Sequence, residues 1–81
     1  MINTNATFTS DTFAALKATG WKMKEHSAAR QDKASGLWLI VYADGRWSVK
    51  TFYKILVSGQ TTQSTAAQAA SEALATLGCP G

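Results

Sequence analysis

The chain has 81 residues, 46% of them hydrophobic and 16% charged, a balance typical of one folded domain over residues 1–81 rather than a disordered chain. No apolar run approaches the ~20 residues of a membrane-spanning helix, and Met1-Ile2-Asn3 begins no signal peptide, so we expect a cytoplasmic protein without membrane contact. All eight Lys and Arg lie between Lys17 and Lys54 with only three carboxylates among them, so the middle of the chain is basic although the net charge is only +3.

A short helix is predicted between Phe8 and Trp21, after residues 1–7, which are expected to form a loose arm or a short edge strand. Thr9 is placed to cap its first turn, because a Thr side chain there can accept a hydrogen bond from a free backbone N–H. Gly20 suits the left-handed residue that ends a helix, and Trp21 then packs back on the last turn. The local sequence therefore predicts both ends of this helix.

Two β segments follow the helix. Residues Trp21–Arg30 begin with alternating apolar and polar side chains, which indicates a strand, and the polar loop 31–36 (QDKASG) comes next. The stretch Leu37–Val57 predicts a β-hairpin, because Asp44-Gly45 lies between two runs rich in β-forming residues and favours a tight hairpin turn.

The length of the hairpin turn decides which side chains share a face. A two-residue loop at Asp44-Gly45 and a four-residue loop at 43–46 both put Tyr42 opposite Trp47. In that register one face is predicted to belong to the core, and it carries Trp38, Ile40, Tyr42, Trp47, Val49, Thr51, Tyr53 and Ile55. The other face, a mixture of basic and apolar side chains, carries Leu37, Leu39, Val41, Arg46, Ser48, Lys50, Phe52 and Lys54.

A second helix is predicted at Ser64–Leu77, followed by a short tail of residues 79–81. Thr65 and Gln68 have the spacing of a capping box. The apolar stripe of this helix is mostly alanine, which lets a helix approach a sheet closely: Ala66, Ala70, Ala73, Leu74 and Leu77. The predicted fold class is α+β, in the order α-β-β-β-α, with a three-stranded antiparallel sheet and the helices packed on one face.

This order resembles the double-stranded-RNA-binding domain, whose last helix has an alanine-rich pattern similar to AAQAASEALATL here. The resemblance covers most of the chain as a topology. It implies RNA contacts from a basic start of the last helix, from a Gly-Pro-x-His loop and from the first helix. Here the last helix begins STAAQAAS without Lys or Arg, and the loop QDKASG has neither Pro nor His, so binding of double-stranded RNA is not expected.

The short chain, with a hairpin followed by an Ala-rich helix, also resembles small accessory proteins of bacteriophages and other mobile elements, including anti-CRISPR proteins. This resemblance implies a protein that acts by binding. It assigns no site residue.

No catalytic, metal or cofactor site is predicted from the sequence. The single thiol, Cys79, lies in the tail, and the single imidazole, His26, lies on a weakly predicted strand. A nucleophile needs an adjacent base, and a metal ion needs several ligands, which these two residues do not supply. The chain also lacks a Gly-rich phosphate loop. We therefore expect a protein that is not an enzyme and has no cofactor.

The mixed face of the hairpin is the predicted contact surface, because its apolar centre and basic rim have no structural explanation. The candidate partner-binding residues are Leu39, Val41, Arg46, Lys50, Phe52 and Lys54. The leading hypothesis is a non-enzymatic accessory or inhibitory protein of phage type that binds another protein. An acidic partner, or one that itself holds nucleic acid, would suit the basic rim.

Other interpretations of the same face stay open. A nucleic-acid-binding module would use Lys22, Lys24, Arg46, Lys50 and Lys54, with Phe52 stacking on a base. A homodimer would hide the face between two copies. The lysines could also serve only to discourage aggregation of strand edges, or the first helix could cover part of the face.

Overall fold

The computed structural model describes residues 7–78, which form two helices and a five-stranded antiparallel sheet. The elements are α1 (Ser10–Ala18), β1 (Lys22–Met23), β2 (Ser27–Gln31), β3 (Trp38–Tyr42), β4 (Arg46–Lys50), β5 (Ile55–Gln60) and α2 (Ala66–Gly78). The strands lie in the sheet in chain order. The α+β class is confirmed, but the sheet has five strands where three are predicted. The predicted tail, and all of the predicted arm except residue 7, lie outside the described residues.

The two additional strands arise because each of the two predicted β segments contains a turn that the sequence does not predict. Between β1 and β2, the Lys24 N–H donates to the Ser27 carbonyl at 2.8 Å. Between β4 and β5, the Thr51 hydroxyl accepts from the N–H groups of Tyr53 and Lys54 at 3.0 and 3.1 Å. The segment TFYK has none of the usual turn residues Gly, Pro, Asn, Asp or Ser, so its sequence does not predict this second turn.

The central hairpin has a register one residue away from the predicted one. Val41 pairs with Trp47, so the loop has three residues, 43–45, instead of two or four. The Gly45 N–H donates to the Tyr42 carbonyl at 2.9 Å and Gly45 has φ +97°, the arrangement of a type I turn followed by a left-handed residue. The side chains of β4 lie on their predicted faces, whereas each side chain of β3 lies on the face opposite to the predicted one. The reason is that a one-residue slip moves every side chain of a strand to the opposite face.

Gly45 is required at this turn for two reasons. A side chain at φ +97° is strained, and a Cβ on Gly45 would overlap the Thr61 carbonyl oxygen. The Gly45 carbonyl also accepts from the Thr61 N–H at 2.9 Å. The segment after β5 therefore holds the turn in place and, with it, the faces of the hairpin.

The core lies between α2 and one face of the sheet, here called the inner face. Leu39 and Val41 are 2% and 1% exposed on this face, and they belong to the same cluster as Ala66 and Ala70, which are fully buried. The small alanine side chains let α2 lie close against the larger sheet residues, as the alanine stripe predicts. Within residues 7–78 the buried cluster contains Phe8, Leu16, Trp21, Ala28, Leu39, Val41, Ala43, Val49, Ala66 and Ala70.

The predicted division of side chains between the two faces is correct for β4 and wrong for β3. Val49 is fully buried, as predicted. The predicted core side chains of β3 lie half-buried on the opposite face: Trp38, Ile40 and Tyr42. Tyr53 and Ile55, also predicted in the core, are 94% and 59% exposed because they lie at and after the unpredicted turn. The run WLIVY is apolar on both sides, so only the turn length decides which half faces inward.

Both predicted ends of α1 are confirmed. The Thr9 hydroxyl accepts from the Thr12 N–H at 3.2 Å, and the Trp21 N–H donates to the Leu16 carbonyl at 3.1 Å past Gly20, whose φ is +91°. These contacts join residues at most five positions apart, which is why local sequence predicts them.

The predicted capping box of α2 is wrong. The Thr65 hydroxyl lies 2.8 Å from the Thr62 hydroxyl, and the Gln68 amide donates to Glu72 at 3.2 Å. Both side chains therefore use partners other than each other's backbone.

Candidate binding surface

The sheet face opposite α2, here called the outer face, is the candidate binding surface. It is formed by alternate side chains of all five strands: Lys22, Ser27, Ala29, Gln31, Trp38, Ile40, Tyr42, Arg46, Ser48, Lys50, Ser58 and Gln60. Neither helix covers this face, and only the end of α1 reaches its margin, at Thr19 and Gly20.

The strand register arranges the outer face as a shallow trough. The middle row, which crosses β2 to β5, is low because its side chains are small or half-buried: Ala29, Ile40, Ser48 and Ser58. Trp38 and Lys50 form a pair on one side of this row. Tyr42 and Arg46 lie on the other side, and the two walls are ~13 Å apart because Trp38 and Tyr42 are four residues apart on one strand.

Trp38 is the central aromatic side chain of the first wall. Phe52, 77% exposed in the turn after β4, contacts it edge to face, with ring centroids 6.5 Å apart and ring planes at 64°. The Trp38 Nε1 is buried and has no hydrogen-bond partner within residues 7–78. Packing, rather than a polar contact, therefore holds the indole in place.

The outer face is positively charged. Three strand cations lie on it, Lys22, Arg46 and Lys50, and the five strands contain no Asp or Glu. Arg46 is already engaged, because its Nε donates to Asp44 Oδ2 at 2.8 Å and its Cζ lies 4.8 Å from the centroid of the Tyr42 ring. Lys22 and Lys50 have no ion-pair partner in the described part of the chain, so both charges are available to an anionic ligand.

Two depressions border Trp38, one on each side. The larger has a volume of about 530 Å³, and the cations that line it come from β1, β2 and the loop after β2: Lys22, Arg30 and Lys33. The smaller has a volume of about 160 Å³ and is lined beside Trp38 by Ile40, Lys50, Thr51 and Phe52. The first is a cationic cleft, and the second is an aromatic pocket.

Asp32 is the carboxylate at the rim of the cationic cleft. It accepts two hydrogen bonds from Ser35, one from the hydroxyl at 2.7 Å and one from the backbone N–H at 2.9 Å. These bonds, aided by the Arg30 charge, hold the pKa of the Asp32 carboxyl below its usual value. The carboxylate therefore stays ionised near neutral pH and lowers the positive charge of the cleft by one.

Four of the six predicted partner-binding residues lie on or beside the outer face. Arg46 and Lys50 project from β4, while Phe52 and Lys54 lie exposed in the turn that follows it. Their role in binding stays a prediction.

The other two predicted partner-binding residues are corrected. Leu39 and Val41 lie in the core, so they are not available to a partner of the folded chain. The cause is the one-residue shift in register, which exchanges the inward-facing and outward-facing side chains of β3. Of the cations in the nucleic-acid hypothesis, Lys22 lies on the outer face and Lys24 is exposed in the turn after β1.

Two groups of side chains are not predicted from the sequence. One is the outward-facing side chains of β3, Trp38, Ile40 and Tyr42, and the other is the cleft cations Arg30 and Lys33. The sequence Ala43-Asp44-Gly45 also fits a three-residue hairpin loop with Gly in its left-handed position. A loop of this length puts Trp38 and Tyr42 on the face opposite Val49 and is the signal in the sequence for their exposure.

The described residues show no arrangement of metal ligands. No group of three His, Cys, Asp or Glu side chains within residues 7–78 could hold a metal ion. His26 Nε2 lies 3.9 Å from Glu25 Oε2, and Cys79 lies outside the described residues. The absence of enzymatic activity stays a prediction. In the same part of the chain, neither helix has the length and apolar character needed to cross a membrane.

No protein-family model, curated protein or solved structure matches this chain.

Proposed function

We propose that this protein is a binding module without catalytic activity and that it binds nucleic acid on its outer face. The observation that carries this proposal is the combination, on one face that no helix covers, of aromatic side chains with cations and without a strand carboxylate. Proteins that bind nucleic acid with little sequence preference combine the same two elements, since cations hold the phosphates and aromatic rings stack on the bases.

The charges that would meet the phosphates come from separate strands and loops. Lys22 and Lys50 lie on the outer face without ion pairs among the described residues, and Lys33 adds a charge in the cationic cleft. Contact of about three phosphates with a single strand gives a slope of roughly −2 for log affinity against log salt. A fourfold rise in salt should therefore weaken binding roughly 20-fold.

Fluorescence anisotropy of a labelled 20-nucleotide single strand, and of the duplex of the same sequence, tests the proposal at ~50 mM and ~200 mM salt. We expect binding at the lower salt and the loss just described at the higher salt. Lys22→Glu and Lys50→Glu should each weaken binding. Lys17→Glu is the matched control, because Lys17 lies on α1 and its reversal changes the net charge equally.

Two results would contradict the proposal. One is that neither form of nucleic acid binds at low salt. The other is that Lys17→Glu weakens binding as much as Lys50→Glu, since only net charge would then matter.

A protein contact is the second candidate, and the exposed apolar segment 52–56, which joins the turn after β4 to the start of β5, favours it. In this segment Phe52, Tyr53, Ile55 and Leu56 are 77%, 94%, 59% and 37% exposed, next to Lys54. Exposed aromatic side chains with a neighbouring cation are common at protein interfaces. This candidate retains the hypothesis of a phage-type accessory or inhibitory protein, now centred on this segment rather than on Leu39 and Val41.

Salt dependence separates the two candidates. A protein partner held by the apolar segment should stay bound in moderate salt and should be lost with Phe52→Glu or Tyr53→Ser. Tyr53 is almost fully exposed, so its replacement should leave the fold intact. A partner that both variants retain would eliminate the segment as the interface.

A further inference from the structure

The position of Trp38 between two chemically different depressions carries a more specific inference about the ligand. On one side lies the cationic cleft, and on the other lies the aromatic pocket. In the row that crosses the sheet, Trp38 pairs with Gln31 of β2 and with Lys50 of β4. Adjacent strands are ~4.8 Å apart, so one indole ring separates a site for an anion from a site for a flat ring.

The cationic cleft is complementary in charge to a phosphate. Its three cations come from β1, β2 and the loop after β2, and the one carboxylate at its rim already accepts two hydrogen bonds from Ser35. The aromatic pocket has a different chemistry. Trp38 and Phe52 meet there edge to face, and Lys50 lies beside them. An aromatic corner of this kind offers a stacking surface to a planar base.

We infer that the outer face binds single-stranded nucleic acid, with a phosphate in the cationic cleft and an adjacent unpaired base against Trp38 and Phe52. This inference rests on the proposed function and deepens it. Bases in a duplex are stacked on their neighbours and cannot reach an aromatic pocket, so the arrangement selects single strands. The small side chains of the trough floor, Ala29, Ser48 and Ser58, leave room for the backbone to cross the sheet.

The experiment compares a ten-nucleotide oligothymidylate, an oligouridylate of the same length and a ten-base-pair duplex, all at low salt. We expect both single strands to bind roughly tenfold tighter than the duplex. Stacking should also quench the intrinsic fluorescence of Trp38. The other two tryptophans, Trp21 and Trp47, contribute to or pack against the core on the inner face, so the quenching reports on Trp38.

Substitutions at Trp38 provide the decisive variants. Trp38→Ala should weaken single-strand binding roughly tenfold, whereas Trp38→Phe keeps a ring and should stay within about threefold of the wild type while losing most of the quenching. Trp38→Phe removes an indole N–H that has no partner among the described residues, so this variant should fold normally. Phe13→Ala is the aromatic control, because Phe13 is 39% exposed on α1 in the helix layer. Thermal melting of each variant confirms that it is folded.

The outcomes separate this inference from the proposed function. Failure of every probe to bind eliminates both. Two outcomes overturn the inference and leave the proposed function standing. One is equal affinity for the duplex and the single strand. The other is unchanged affinity in Trp38→Ala when Lys50→Glu abolishes binding. Unchanged affinity in the double variant Lys22→Ala/Lys33→Ala overturns the assignment of the phosphate to the cationic cleft.

Discussion

Strand β3 is apolar on both sides of the sheet, but only its inner side is buried. On β3, Leu39 and Val41 are almost completely buried, whereas their neighbours Trp38 and Tyr42 are only half-buried. The inner face meets the alanines of α2, and the outer face meets no helix. On β3, hydrophobicity alone therefore does not decide which side belongs to the core, and the buried side is the one that the helix covers.

The two faces also differ in charge. The inner face is closed by apolar side chains of the two helices, while the outer face combines aromatic rings with Lys22 and Lys50. Burial of an unpaired lysine would be costly, so these cations keep the outer face open to water or to a charged ligand. The sheet therefore has one face that closes the core and one face that stays accessible to a ligand.

The largest effect that tests this comparison is expected from the neighbours Leu39 and Ile40, which point to opposite faces. Leu39→Ala should lower the free energy of unfolding by about 2–5 kcal/mol, because it leaves a cavity in the core. Ile40→Ala should lower it by about 1 kcal/mol, because Ile40 is only half-buried. Urea unfolding followed by circular dichroism measures both values. Equal losses would mean that the outer face is as closed as the inner one.

The next effect concerns the turn that assigns the two faces. Gly45→Ala should destabilise the fold by at least about 2 kcal/mol, because the new Cβ meets the Thr61 carbonyl in addition to the strain of a positive φ. Gly20→Ala is the matched variant, since Gly20 has a similar φ and nothing within 4 Å of a Cβ, and it should cost about 1 kcal/mol. A smaller loss for Gly45→Ala than for Gly20→Ala would show that Thr61 does not hold the turn.

A smaller effect is expected at the turn that separates β4 from β5. Thr51→Val removes the hydroxyl that accepts from Tyr53 and Lys54, and it should cost about 1 kcal/mol in the free energy of unfolding. Thr51→Ser keeps the hydroxyl and should lose less than half as much. The same urea titration measures both variants, and equal losses would assign the effect to packing instead of hydrogen bonding.

The smallest effect is a pH dependence at the rim of the cationic cleft. The pKa of the Asp32 carboxyl should lie below the usual ~3.9 in an NMR titration, because Ser35 donates two hydrogen bonds to the ionised form. Ser35→Ala should raise this pKa toward its usual value. Since the folded pKa is the lower one, the stabilisation is present above about pH 4 and is lost as the pH falls through the folded pKa. An unchanged pKa in Ser35→Ala would contradict this origin.

Sequence alone determined the elements whose causes are local. The ends of α1 follow from Thr9 and Gly20, which act on backbone groups within one or two helical turns. The apolar stripe of α2 predicts its buried side at Ala66, Ala70, Ala73 and Leu74, whereas Leu77, predicted on the same stripe, is 44% exposed. The basic middle segment likewise follows from composition.

Only the tertiary structure decided the hairpin register, the second turn and therefore the outer face. The run WLIVY is apolar on both sides, so its periodicity does not choose an inner half. The choice depends on the three-residue loop 43–45. The distant Thr61 holds this loop in place, because its N–H donates to the Gly45 carbonyl. A contact between residues 16 positions apart thus places Leu39 in the core and Trp38 on the binding surface, because a slip of one residue exchanges the two faces of a strand.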